Sequence, residues 1–95
     1  MSDPSLLILS SLAGGDKHGY AMMVDIEQFA GIRLGPGTLY GAITRLEALG
    51  WIRPVGSMER RQPYTITGGG RRHLRSELAK LNLVVRIGLG RLENV

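Results

Sequence analysis

The sequence predicts a mainly α fold with a small β-hairpin: three short helices, a two-stranded ribbon and one long C-terminal helix. Three observations carry this. Apolar residues recur at helical spacing in two consecutive stretches up to Gly50. Two β-branched and aromatic runs then flank a polar, arginine-bearing loop. Finally, Leu74, Leu78, Leu81, Val85 and Leu92, with Gly88 in the remaining slot, repeat at the 4, 3, 4, 3, 4 spacing of a heptad seam.

The first helix is expected to begin beside Pro4, capped by Asp3 or Ser2, because proline's fixed φ and missing N–H suit a first turn. Leu6, Leu7, Leu9, Ser10 and Ala13 supply its packing face, and Gly14-Gly15 stops it. After a polar turn at Asp16-Lys17, His18-Gly19-Tyr20 opens a second helix. Met22, Ile26 and Phe29 stand at i, i+4, i+7 beside Met23 and Ala30, and this set reads as core. The connection from Gly31 to Leu34 is short, so this helix pairs with the next as a helix-turn-helix.

The third helix starts at Pro36 and ends at Gly50, a left-handed cap. Leu39, Ile43, Leu46 and Leu49 line its packing face. The other face, Thr38, Gly41, Thr44, Arg45 and Ala48, is small and polar, a composition able to approach a nucleic-acid groove closely.

Trp51 to Val55 and Tyr64 to Thr67 read as a hairpin, with Pro54 and Pro63 confined to strand ends or edges because each lacks a ladder donor. Trp51 packs at its foot, and its tip holds Arg60 and Arg61. Thr67 can cap the last helix, although Gly68, Gly69 and Gly70 make a poorly helical entrance. A helix from Arg71 to Leu92 would extend about 33 Å, more than a three-helix core can cover. A second copy of the chain is therefore expected against it, through the same helix of the mate or through the mate's first helix. Leu83, Val84, Ile87 and Leu89 widen its apolar surface. The expected division is a DNA-binding winged helix-turn-helix over residues 1–70 and a dimerisation helix over 71–95, within one compact domain.

Charge sharpens the reading. The net charge is +4, yet residues 1–50 carry three basic side chains against five carboxylates, and residues 51–95 carry nine against three. Such asymmetry is what an anionic partner bound from one side would select. There is no cysteine, and two separated histidines, His18 and His73, make no metal constellation, so neither metal nor cofactor is expected. No run reaches the roughly 18 apolar residues of a membrane span, and the expected location is cytoplasmic. No nucleophile, base and acid recur together, and Gly68-Gly69-Gly70 lacks the lysine of a phosphate loop, so catalysis is not expected.

Helix, helix, helix, hairpin and long helix is the winged helix-turn-helix plan, with a recognition helix in the major groove and the wing on flanking DNA. Several segments resemble the PadR family of transcriptional regulators: His18-Gly19-Tyr20; Leu34 to Tyr40; Arg45-Leu46-Glu47 followed by Gly50-Trp51-Ile52; and Tyr64 to Thr67 with Gly70-Arg71. The similarity spans about residues 5–80. It implies a bacterial or archaeal dimeric repressor on a palindromic operator, often released by a small-molecule effector. Gly41 stands where the family commonly has Pro, and Gly68-Gly69 where it has Glu-Ala, which would loosen the recognition helix and the coupling of the wing to the last helix.

The candidates for DNA contact are Thr38, Tyr40, Thr44 and Arg45, with hydroxyls for phosphate or base and a guanidinium for phosphate or guanine. Each has a plainer reading. Tyr40 can be a packed ring, and Arg45 can pair with Glu47 or solvent. Arg60 and Arg61 are candidates because a solvated hairpin tip has no packing use for two arginines. His18 and Tyr20 match the family's backbone-contacting entrance to the second helix, although a histidine there also serves as a local hydrogen-bond partner. Arg71, Arg72 and Arg75 read as a wet helix face. The competing function is a winged-helix module that binds a protein partner through the same surfaces.

Overall fold

A computed structural model describes residues 3–56 and 60–94. Ser2, the other candidate cap, and the loop residues Ser57, Met58 and Glu59 lie outside this range. The chain order is α1 (Ser5–Ala13), β1 (Lys17–His18), α2 (Gly19–Ala30), α3 (Pro36–Ala48), β2 (Ile52–Pro54), β3 (Pro63–Ile66) and α4 (Gly68–Glu93).

The α1 helix starts at Ser5 with Pro4, and not Asp3, at its N-cap position, and just ahead of it Asp3 Oδ1 accepts the Ser5 N–H at 2.9 Å. The buried side chains of α1 are not a single stripe. Leu7, Ile8, Leu9, Ser11 and Leu12 are all buried, whereas Leu6, Ser10 and Ala13 of the expected face are only half-buried. The reason is position, since α1 packs against α2, α3, α4 and β3 and is enclosed nearly all round. Its buried Ser11 is satisfied by donating to Asp25 Oδ2 at 2.7 Å, and Lys17 Nζ donates to the Ser11 carbonyl at 2.6 Å.

The expected two-stranded ribbon is a three-stranded antiparallel sheet, ordered β1-β3-β2. Lys17 pairs with Tyr64 and His18 with Pro63, on the side of β3 opposite β2. Two residues are too few to show a period, so the sequence pattern places Lys17 in a turn and His18 at the opening of the second helix, where the structure has this strand. Both prolines sit at strand ends, Pro54 closing an edge strand and Pro63 opening the central one.

Met22 and Ile26 are fully buried in α2, but Phe29 is 51% exposed and is not core. Leu39, Ala42, Ile43 and Leu46 bury one face of α3. Leu49 does not join them: the helix ends at Ala48, so Leu49 turns outward and is 53% exposed, while Gly50 takes the expected left-handed φ of 78°.

The glycine entrance to the last helix is helical from Gly68. Thr67 Oγ1 accepts the Gly70 N–H at 3.0 Å and donates to the Gly50 carbonyl at 2.7 Å, while the Thr67 N–H donates to the Trp51 carbonyl at 3.0 Å. A Cβ at position 70 would collide with that same carbonyl and with Ile66. Gly70 is thus a point of close approach and not a flexible joint, and the end of α3, the foot of the hairpin and the start of α4 form one braced corner.

Beyond this corner α4 packs against α1 over its first turns and then extends away from the core. Its 26 residues extend roughly 39 Å, and the molecule measures 56 × 26 × 20 Å. Leu74 is buried within its own chain, so it belongs to the core of this subunit. Leu78, Leu81, Val85 and Leu92 are between 43% and 73% exposed, as are Leu83, Val84, Ile87 and Leu89.

Candidate nucleic-acid interface

One continuous side of the molecule gathers the outer face of α3, the entrance to α2 and the base of the wing. On α3, Thr38, Gly41, Thr44, Arg45 and Ala48 are exposed, as the spacing predicted, and Gly37 is exposed beside them. Added methyl groups at Gly37 and Gly41 would meet nothing within 4 Å, so the outer ridge is open. Thr44 Oγ1 donates to the Tyr40 carbonyl at 3.0 Å, which fixes the hydroxyl and leaves its lone pairs outward.

Tyr40 lies on the flank of this ridge and is 48% exposed. Its phenol end rests on Gly19, where any Cβ would collide with Oη and Cζ. The ring is therefore both packed and accessible, and Gly19 is the residue that admits it. Tyr64 stands close by, and its hydroxyl pKa is pushed up from the ordinary value near 10.0, first by burial and then by Glu47 and Tyr40.

Arg45 occupies the other flank. It does not pair with Glu47: Nη2 reaches Asp3 Oδ1 at 3.1 Å and Ser5 Oγ at 3.2 Å, at the start of α1. Asp3, Pro4, Gly37, Thr38, Gly41, Ala42 and Arg45 together line an open cleft of about 500 Å3. Sequence reasoning missed Asp3 and Ser5 as members of this surface. They lie about forty positions from Arg45, and only the packing of α1 across α3 joins them.

His18 is the N-cap of α2, its Nδ1 accepting the Ala21 N–H at 3.3 Å. The opposite ring nitrogen, Nε2, faces Arg61 Nη1 at 3.4 Å, so α2 and the wing meet here. With Nδ1 accepting, neutral imidazole carries its proton on Nε2, and two donors then point into one small region. Tyr20 is 66% exposed on the first turn of α2, and Arg60 is exposed beside Arg61. Among the described residues no group of three or more histidine or carboxylate side chains could hold a metal ion, and no helix is long and apolar enough to cross a membrane.

Comparison with known proteins places this geometry. Residues 8–76 match the Transcriptional regulator PadR-like family. Over 76 residues the chain is 47% identical to an uncharacterized 37.1 kDa protein in transposon TN4556 of Streptomyces fradiae, a match that covers 80% of this chain. The chain spans 22% of that relative's length. Among solved structures it is similar to a PadR family transcriptional regulator from Eggerthella lenta, at 31% identity, a TM-score of 0.74, and coverage of 93% of this chain and 79% of that one. It also shares its fold with F93 from STIV, a winged-helix DNA-binding protein, at 18% identity, a TM-score of 0.81, and coverage of 90% and 94%. The winged-helix corner, the open α3 ridge and the matched segment agree, and the chain belongs to the PadR-like family of transcriptional regulators.

Proposed function

We propose that this chain binds double-stranded DNA as a two-fold homodimer, represses transcription from a palindromic operator, and releases it when a small-molecule effector binds. The observation that carries the DNA reading is the α3 ridge. Its outermost positions are glycine, threonine and alanine, they are exposed among the described residues, and Tyr40 and Arg45 flank them. Such a ridge can enter a major groove without side chains holding it off. His18 and Arg61 add two donors converging where an anionic oxygen would satisfy both, and Arg60 extends the charge along the wing. Thr38, Tyr20 and the Thr44 hydroxyl are the remaining contacts in this reading.

The dimer reading rests on the exposed leucines and valines of α4. With Leu74 assigned to its own subunit, Leu78, Leu81, Val85 and Leu92 are the seam that a mate would cover. Residues 1–70 then act as the reading unit and 71–95 as the coupling helix. F93, with the same fold, is described as DNA-binding, and the relatives of known family are transcriptional regulators.

The test is retention of genomic duplex fragments by the purified protein, followed by a salt titration on a retained fragment. Selective retention with affinity falling steeply as salt rises is expected. Failure to retain any duplex at low salt would favour the protein-partner reading of the same surface.

A further inference from the structure

The α3 helix, PGTLYGAITRLEA, carries a single cation, Arg45, and that cation is already taken by a carboxylate of the same chain. From this juxtaposition we infer that Asp3 is a determinant of DNA affinity: it occupies the Arg45 guanidinium in place of a backbone phosphate, and binding exchanges one anion for the other. The inference rests on the DNA reading above and concerns Asp3, which no contact motif of the chain includes.

Three features support it. First, the pair stands at the mouth of the cleft on the α3 ridge, the side on which a duplex would lie, and not in the interior. Second, both partners are accessible, with the Arg45 and Asp3 side chains 52% and 67% exposed, and an exposed ion pair is weak enough to be exchanged. Third, among the described residues Arg45 is engaged through Nη2, by Asp3 Oδ1 and Ser5 Oγ, which leaves the other donors of the fork for a second anion, and the group is always charged. To a phosphate approaching the ridge, the tethered pair is close to neutral. Once the carboxylate is removed, α3 presents a full positive charge from the same position.

The test is Asp3→Asn, which keeps an oxygen to accept the Ser5 N–H and so preserves that contact at the start of α1. Binding is measured by fluorescence anisotropy on a mixed-sequence duplex of about 30 base pairs, between about 50 and 200 mM salt. The expected result is tighter binding by Asp3→Asn, several-fold at the lowest salt, with the log–log salt slope steeper by about one. The freed Asp3 of the wild type takes up a cation that Asp3→Asn does not, and one more net ion released implies that this advantage shrinks about threefold across that fourfold salt range. In an Arg45→Gln background the gain should vanish. Ser5→Ala, which removes only the weaker tether, should give a smaller gain in the same direction.

Unchanged or weaker binding by Asp3→Asn would overturn the inference, while steep salt-dependent binding by the wild type would leave the DNA reading standing. An equal gain with and without Arg45 would also overturn it, because the effect would then be one of net charge alone. No binding by the wild type at any salt would remove the DNA reading and this inference with it.

Discussion

The indole of Trp51 lies flat on the imidazole of His73, with ring centroids 3.7 Å apart and planes 14° from parallel. One turn earlier in α4, Gly70 passes beneath the Trp51 carbonyl so closely that no side chain fits. This corner makes the wing, the end of α3 and the start of α4 a single rigid unit.

Gly70→Ala should therefore destabilise the protein by about 2 kcal/mol, the cost of overpacking a site with no room to relax. For a domain of this size that lowers Tm by roughly 10 °C in a thermal melt. Gly69→Ala is the control: its Cβ meets only ordinary contacts at 3.8 Å, so Tm should hold or rise. Equal Tm values for both variants would show that the corner is not close-packed.

Gly19→Ala should push the Tyr40 ring off the first turn of α2. The displaced group is the outer end of a side chain, so the loss of stability should stay within about 1 kcal/mol. If the α3 ridge contacts DNA as proposed, affinity should fall several-fold, because Tyr40 flanks that ridge. A binding curve superimposable on the wild type would remove Tyr40 from the interface.

Arg60→Ala combined with Arg61→Ala should weaken binding to all duplex sequences alike and reduce the salt slope by about two, as expected for lost phosphate contacts. Sequence-dependent losses would instead mean that the wing reads bases.

The Asp3 carboxyl is held below its ordinary pKa of 3.8, first by the Ser5 N–H, then by the Ser5 hydroxyl, with Arg45 adding attraction. A depressed folded-state pKa means that the carboxylate's stabilisation is present above 3.8 and is lost as pH falls through the lower folded value. Urea melts of the wild type and Asp3→Asn should differ near neutral pH and converge in acid. A gap independent of pH would contradict this.

Much of the fold is legible in the sequence where one face of an element meets the core. Leu39, Ile43 and Leu46 show α3 plainly, and Thr67 shows the cap of α4. Spacing cannot tell which apolar positions find a neighbour, so Phe29 and Leu49 share the phase of buried residues yet lie open. Ile8 and Leu12 hide in α1 because an enclosed helix has no polar side to mark the other. Gly68 to Gly70 read as a weak joint because propensity carries no record of tertiary approach; the Trp51 carbonyl reverses that reading at Gly70. Of the interface, the small α3 face and the wing arginines are local features and readable. The Asp3–Arg45 pair and the His18–Arg61 contact are products of folding and are not.

The measurement that bears most directly on this account is sedimentation of the protein with a duplex fragment that it retains, beside Leu81→Asp. Leu81 is 43% exposed on α4, so a charge there leaves the subunit core intact while disrupting any seam. The account predicts two chains per duplex for the wild type, and for Leu81→Asp a folded single chain that binds far more weakly. One wild-type chain per duplex, or a Leu81→Asp variant that binds as tightly as the wild type, would contradict it.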